Sequence, residues 1–331
     1  MAETVVLGVL VLILGMYRPG GEAGATGSEP DPRGDATRDA SPAASRAVDN
    51  GPLFVVWWED YCEVSCYSVW RGGPTAPFRR LNVEPEGAPC VSPDGSQLAY
   101  ASRRRTIVVR RILPLSDELG PPEVIARLPR GETGKPDCAW SPHGHSLIFV
   151  GAGGRNEASV WRLRRNGTEL LKLGEVPAAV AGYPTDPAWS STGRVAFRSG
   201  LDRAWLAMMD ADGTDMRRLG HRGHSPTWSP DGRQFAFIDS AGEEYEQIWP
   251  GPVMVADANG EDVRRLRRGE NGAVAFSPDG RRLAFARSVT RSGASDRVEI
   301  TRTDGTTIRT LPVEHQSIFP IRLTWTSSAQ R

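Results

Sequence analysis

The sequence predicts an all-β fold: a six-bladed β-propeller of four-stranded antiparallel blades, closed by the C-terminal strand. Three observations predict it. A Ser-Pro-Asp-Gly turn recurs along the chain at blade-length intervals. Apolar runs of strand length flank every copy. The first unit lacks an opening strand, and the last segment of the chain supplies one.

The turn reads Ser92-Pro93-Asp94-Gly95, then Ser141-Pro142-His143-Gly144, Ser190-Ser191-Thr192-Gly193, Ser229-Pro230-Asp231-Gly232 and Ser277-Pro278-Asp279-Gly280. Successive serines lie 49, 49, 39 and 48 residues apart. Pro presets φ at the second turn position, Asp suits the third, and Gly takes the left-handed position that follows. Trp140, Trp189, Trp228 or Phe276 precedes the Ser, with Val91 as the exception. The runs LAYAS, LIFVG, VAFRS, FAFID and LAFAR follow the Gly. Two apolar runs about such a turn make a hairpin, strand A to strand B. A second hairpin turns at Asn166-Gly167, Asp212-Gly213, Asn259-Gly260 or Asp304-Gly305. Four antiparallel strands per repeat is one propeller blade.

The ends supply the count. Phe54–Trp58 reads as a B strand, Ser68-Val69-Trp70 as a C strand and Phe78–Leu81 as a D strand, with no A strand before them. Leu323–Thr326 reads as a lone A strand, and Thr326 lies 49 residues after Ser277. Pairing the two would complete the first blade and leave no open sheet edge between the termini.

The pattern W-S-P-D-G followed by an apolar run, D/N-G and R-R-L resembles the TolB-like propeller family over residues 52–326. The resemblance implies a six-bladed ring and a role as a protein-binding platform in the bacterial envelope. TolB itself adds a folded α/β domain ahead of its propeller. Here the preceding residues have the composition of a tail.

That tail divides in two. Val5–Tyr17 is an apolar run with the length of a signal-peptide core, and Ala23-Gly24-Ala25 offers small residues for cleavage. Residues 1–25 are therefore expected to be a signal peptide or membrane anchor. Residues 26–51, rich in Pro, Gly, Ala, Ser and Asp, are expected to be a disordered linker, and 52–331 the propeller. The localisation expected is exported: periplasmic, extracellular or membrane-anchored. Forty basic residues balance forty acidic ones, so no overall field draws the chain to nucleic acid. A membrane is expected to be touched only through the N-terminal segment. The protein is expected to be a monomer.

In this strand order the A–B and C–D turns share one end, and the longer, dissimilar D–A and B–C loops share the other. Function sits on such loops over a rigid scaffold. The expected binding face carries Glu59, Asp60, Tyr61, Arg155, His221, His224, Glu244, Tyr245 and Trp249, and takes a protein or peptide partner. His221 and His224 are read as polar residues of a D–A loop rather than as a metal site, and no metal or cofactor is expected. Asp210, Asp212 and Asp215 begin like a calcium loop, but position twelve is His221, so the match fails. The sequence holds no G-x-S-x-G, H-E-x-x-H or phosphate-loop motif, and no catalytic residue is assigned. A binding module is expected rather than an enzyme. The alternatives are a channel-mouth hydrolase or lyase, or a small-molecule or metal sensor.

Cys62, Cys66, Cys90 and Cys138 are an even set in a chain expected to be exported, which admits disulfides. Cys62 and Cys66 share one short loop. Cys90 lies two residues before its motif Ser and Cys138 three before its own, on opposite strand faces. They meet in one seam if the blades run in one sense and point apart in the other. The alternative is that all four are free, buried small residues.

Overall fold

The computed structural model describes residues 50–328 apart from 59–66, 74–75, 84, 86, 103–104, 115, 130–135, 153–157, 177–184, 200–203, 241–250, 288–296 and 314–318. The expected signal or anchor segment and nearly all of the expected linker lie outside the described residues. Strand structure begins at Asn50, two residues ahead of the boundary expected from composition.

Among the described residues all regular structure is β, and no helix is long and apolar enough to cross a membrane. In chain order the strands are β1 (Asn50–Trp58), β2 (Tyr67–Gly73), β3 (Ala76–Arg80), β4 (Cys90–Val91), β5 (Gln97–Ala101), β6 (Thr106–Arg111) and β7 (Glu123–Arg127). There follow β8 (Asp137–Trp140), β9 (Ser146–Ala152), β10 (Ala158–Arg164), β11 (Leu171–Glu175), β12 (Thr185–Trp189), β13 (Arg194–Ser199), β14 (Trp205–Asp210) and β15 (Arg217–Trp228). The last are β16 (Gln234–Asp239), β17 (Gly251–Asp257), β18 (Arg264–Asn271), β19 (Ala273–Phe276), β20 (Arg282–Arg287), β21 (Arg297–Arg302), β22 (Thr307–Pro312) and β23 (Phe319–Ser327).

These strands form antiparallel sets of four. The first has the order β23-β1-β2-β3, with Leu53 opposite Trp325 and Val55 opposite Leu323. The last strand of the chain thus lies beside the first. The second set is β4–β7 and the third β8–β11. A seven-stranded sheet, β12–β18, follows. Within it the long β15 pairs with β14 along its first half and with β16 along its second, so the fourth and fifth sets share this strand. The sixth set is β19–β22.

The repeated turn shows why its residues recur. The Ser hydroxyl donates to the Asp two residues on, Ser92 to Asp94 at 2.5 Å, Ser229 to Asp231 at 2.6 Å and Ser277 to Asp279 at 2.5 Å. The same oxygen accepts the amide that opens the next strand, from Gln97 at 2.9 Å and from Arg282 at 2.9 Å. One serine therefore satisfies both ends of the turn. Gly95 and Gly280 sit at φ 71° and 69°, where a side chain would be strained. The indole before the Ser reaches backward: Trp140 Nε1 donates to the Cys90 carbonyl at 3.1 Å, and Trp228 Nε1 to that of Ala188 at 3.0 Å.

Packing runs between sets. Phe54, Val56 and Leu98 join the first to the second, and Ile107, Leu147 and Phe149 join the second to the third. Val150 with Phe197 joins the third to the fourth, and Leu206 with Phe235 the fourth to the fifth. Ile238 with Phe285 joins the fifth to the sixth. Leu53, Val55 and Trp57 then pack on Ala284, Val298 and Ile300, which joins the first set to the sixth.

Candidate functional site

The opening strand of each set lines a cavity of about 420 Å³. Its walls include Val91 of β4, Ala139 of β8, Ala188 of β12, Thr227 of β15, Ala275 of β19 and Leu323 of β23. Small or β-branched side chains at most of these places let six strands approach while leaving a space.

At the end of this cavity where the chain enters those strands, ionisable groups converge. Asp137 opens β8, Asp186 lies at the start of β12, Arg322 lies on β23, Arg198 near the end of β13, and Tyr67 opens β2. The Asp186 amide donates to Asp137 Oδ2 at 3.0 Å. Arg322 Nη2 lies 4.0 Å from Asp186 Oδ1. Arg322 Nη1 donates to the Cys138 carbonyl at 2.6 Å and to that of Pro89 at 3.3 Å. Asp186 has φ 53°, a left-handed backbone that an aspartate tolerates better than most residues. Beside the group, Ser225 Oγ lies 3.1 Å from the Ile321 carbonyl and 3.3 Å from that of Gly272.

Burial gives the cluster its chemistry. Asp137 and Asp186 are 9% and 5% exposed. Burial pushes the Asp137 carboxyl well above the ordinary aspartate value, and Asp186 adds to this. Arg322, the Asp186 amide and Arg198 oppose it. Burial likewise raises the Tyr67 phenol, again with Asp137 and Asp186 adding and Arg322 opposing, so the phenol stays protonated. Among the described residues, Asp186 Oδ2, Arg322 Nη2, Arg198 Nε and Thr185 Oγ1 are buried without a hydrogen-bond partner. Buried polar atoms are nearly always paired, so each of these can take a further hydrogen bond, from water or from a ligand.

The register of the repeat explains the convergence. Four residues before the motif Ser, or before Thr326, stand Ala88, Asp137, Asp186, Ser225, Ala273 and Arg322. One position of the repeat thus supplies four polar residues of this site, Asp137, Asp186, Ser225 and Arg322, from four opening strands. Asp137, Asp186, Arg198, Arg322 and Tyr67 were not among the residues expected from sequence. For Asp137, Asp186 and Arg322 the signal was present as a polar or alanine choice at one repeat position.

Of the expected binding residues, Glu59, Asp60, Tyr61, Arg155, Glu244, Tyr245 and Trp249 lie outside the described residues, as do Cys62 and Cys66. His221 and His224 were expected in a D–A loop, but both lie inside the continuous strand β15, which has no loop at that point. His221 is half-buried, 6.4 Å from the Phe237 ring. His224 is buried, with Nδ1 3.1 Å from Ser225 Oγ. Among the described residues no group of three or more His, Cys, Asp or Glu is placed to hold a metal ion. Cys90 and Cys138 are joined as a disulfide, with Cα atoms 5.8 Å apart, between β4 and β8.

No protein-family model matches the sequence, and no curated protein matches it. Solved structures do. TolB from Acinetobacter baumannii matches with a TM-score of 0.58 at 21% identity, over 83% of this chain and 66% of that one. The chain thus spans just under two thirds of that protein's length. A putative TolB from Agrobacterium tumefaciens matches at 0.52 and 19% identity, over 80% and 90%. An oligogalacturonate lyase in complex with manganese matches at 0.51 and 14% identity, over 81% and 87%. The likeness is one of fold, and that fold is a TolB-like β-propeller.

Proposed function

We propose that this chain is an exported protein-binding scaffold of the bacterial cell envelope, a closed six-bladed propeller that takes a protein or peptide partner at the loop-side mouth of its channel. Closure is supported by the pairing of β23 with β1 and by packing between the first and sixth sets. Export is supported by the apolar N-terminal run and by a disulfide in the described residues.

One observation carries the binding reading. The cavity end holds two buried carboxyls and two arginines, with Asp186 Oδ2, Arg198 Nε and Arg322 Nη2 unpaired, where a wall serving only to fold would repeat the alanine of Ala88 and Ala273. The partner is unidentified, so the test is positional. A photo-crosslinking residue is placed at Arg297, on the loop side, or at Asp304, in a tight turn at the opposite end. Crosslinking to an envelope protein from position 297, weakened by Asp186→Asn, supports the proposal. Equal or stronger crosslinking from position 304 opposes it.

A second reading is favoured by the acid pair itself. Two adjacent carboxyls, one with its proton affinity raised by burial, are the equipment of a proton-transferring hydrolase or lyase. The fold likeness to an oligogalacturonate lyase fits this reading equally. Turnover of oligogalacturonate by the purified protein, lost in Asp137→Asn, would replace the binding reading.

A further inference from the structure

Arg322 reaches the cavity end from the last strand, yet its described hydrogen bonds are made to other sets. Its Nη1 donates to the carbonyls of Cys138 and Pro89. Cys138 is one half-cystine, and Pro89 precedes the other, Cys90. Both acceptors therefore ride on the two backbone segments that the disulfide ties together. The other nitrogen, Nη2, faces Asp186 Oδ1 at 4.0 Å.

We propose that Arg322 is the positioning residue of the Asp137–Asp186 pair, and that the Cys90–Cys138 disulfide holds it there, so that reducing the bond withdraws the pair's counter-charge. The reductant is a dithiol. One of its thiolates attacks a cystine sulfur, the S–S bond breaks, and the second thiolate closes the reductant into its own disulfide. Two electrons and two protons end on Cys90 and Cys138 as thiols. The two segments then keep their packing and the Trp140 Nε1 bond to the Cys90 carbonyl, but lose the covalent tie that fixes the Pro89 and Cys138 carbonyls for one guanidinium to bridge. The groups facing the pair besides Arg322 are Arg198 from β13 and the Tyr67 phenol from β2. Neither is bonded to the cystine segments in the described hydrogen bonds, so neither replaces what Arg322 loses. Asp137 keeps its burial and the neighbouring Asp186, loses its main opposing charge, and binds its proton more tightly. Linkage is reciprocal: a reduced form that holds the extra proton makes reduction easier as pH falls.

The test follows the carboxyl carbons of [13C]Asp-labelled full-length protein by NMR, with Asp137→Asn and Asp186→Asn identifying the signals. The oxidised and dithiothreitol-reduced proteins are titrated from acidic to neutral pH, with native tryptophan fluorescence checked in both. On reduction the midpoint of the pair is expected to rise by about one pH unit or more, the scale of one lost opposite charge. The Cys90→Ser/Cys138→Ser variant reproduces the reduced value, and Arg322→Met shows the raised value in both redox states. An unchanged midpoint on reducing the wild type, or a redox shift that survives in Arg322→Met, overturns the proposal. If Arg322→Met does not fold, the double cysteine variant decides alone: the oxidised wild-type midpoint in that protein overturns it.

Discussion

Asn50, at the start of β1, and Asp279, in the turn of the sixth set, hold each other by two hydrogen bonds across 229 positions of sequence. Asn50 Nδ2 donates to Asp279 Oδ2 at 2.9 Å, and the Asp279 amide donates to Asn50 Oδ1 at 3.2 Å. The contact fastens the first strand to the last internal set. Asn50→Ala removes both bonds and leaves the Asp279 amide without its acceptor. A loss of about 1–2 kcal/mol is expected, read as a lower denaturant midpoint with an unchanged slope.

The turn aspartates predict an acid limb of stability. At Asp94 and Asp279 burial acts to raise the carboxyl. Hydrogen bonds from Ser92 and Ser96, and from Ser277, the Arg281 amide and Asn50, outweigh it and hold both below the ordinary value. Asp231 is lowered chiefly by the Ser229 hydroxyl. A carboxyl lowered in the folded state contributes stability above its unfolded value and loses it as pH falls through the folded one. The melting temperature is therefore expected to drop as pH falls below about 4, the ordinary aspartate range. The Asp94→Asn/Asp231→Asn/Asp279→Asn protein should show a shallower drop across that window. Identical slopes for the two proteins would count against the turn bonds as its cause.

Phe149 is fully buried between the second and third sets. Phe149→Ala opens a cavity in a seam that the disulfide also crosses, and a loss of about 3–5 kcal/mol is expected by chemical denaturation. A loss under about 1 kcal/mol would mean that the two sets do not pack as described.

Gly167 turns the second hairpin of the third set at φ 82°, and a Cβ built there meets the Ile125 carbonyl of the second set at 2.3 Å. Gly167→Ala therefore meets both backbone strain and a clash with main chain of the neighbouring set. It is expected to destabilise by more than 1 kcal/mol, a backbone effect larger than an exposed turn would show.

The fold was legible because its signals are local. The Ser-x-x-Gly turn, the Trp before it and the Asn-Gly or Asp-Gly hairpins each specify a bend within a few residues, and repetition multiplied them. The lone strand around Trp325 was legible by the same spacing. The site was less so, because its members come from different sets and meet only when the opening strands converge. Asp137, Asp186 and Arg322 share one repeat position, but nothing local says that this position faces a cavity. Arg198 and Tyr67 join from other strands altogether. His221 and His224 were expected in a loop for a different reason: they stand between a D strand and an A strand of the repeat, and here β15 runs from one set into the next as one strand. The seam of Cys90 and Cys138 depended on the sense in which the sets follow one another, which strand alternation alone leaves open.

A channel with a mouth exists only if the sets form a ring, and the seam that completes it is the pairing of β1 with β23. Trp325, Leu323 and the Trp325 Nε1 bond to the Gly51 carbonyl at 3.2 Å all belong to that seam. The direct test is thermal unfolding of a chain ending at Phe319, with residues 320–331 removed. A sharply lower melting temperature, or failure to fold, is the expected result, since β1 loses one of its two partner strands and the core between the first and sixth sets loses two buried side chains. A melting temperature equal to that of the full-length protein would contradict the closed ring and the channel built on it.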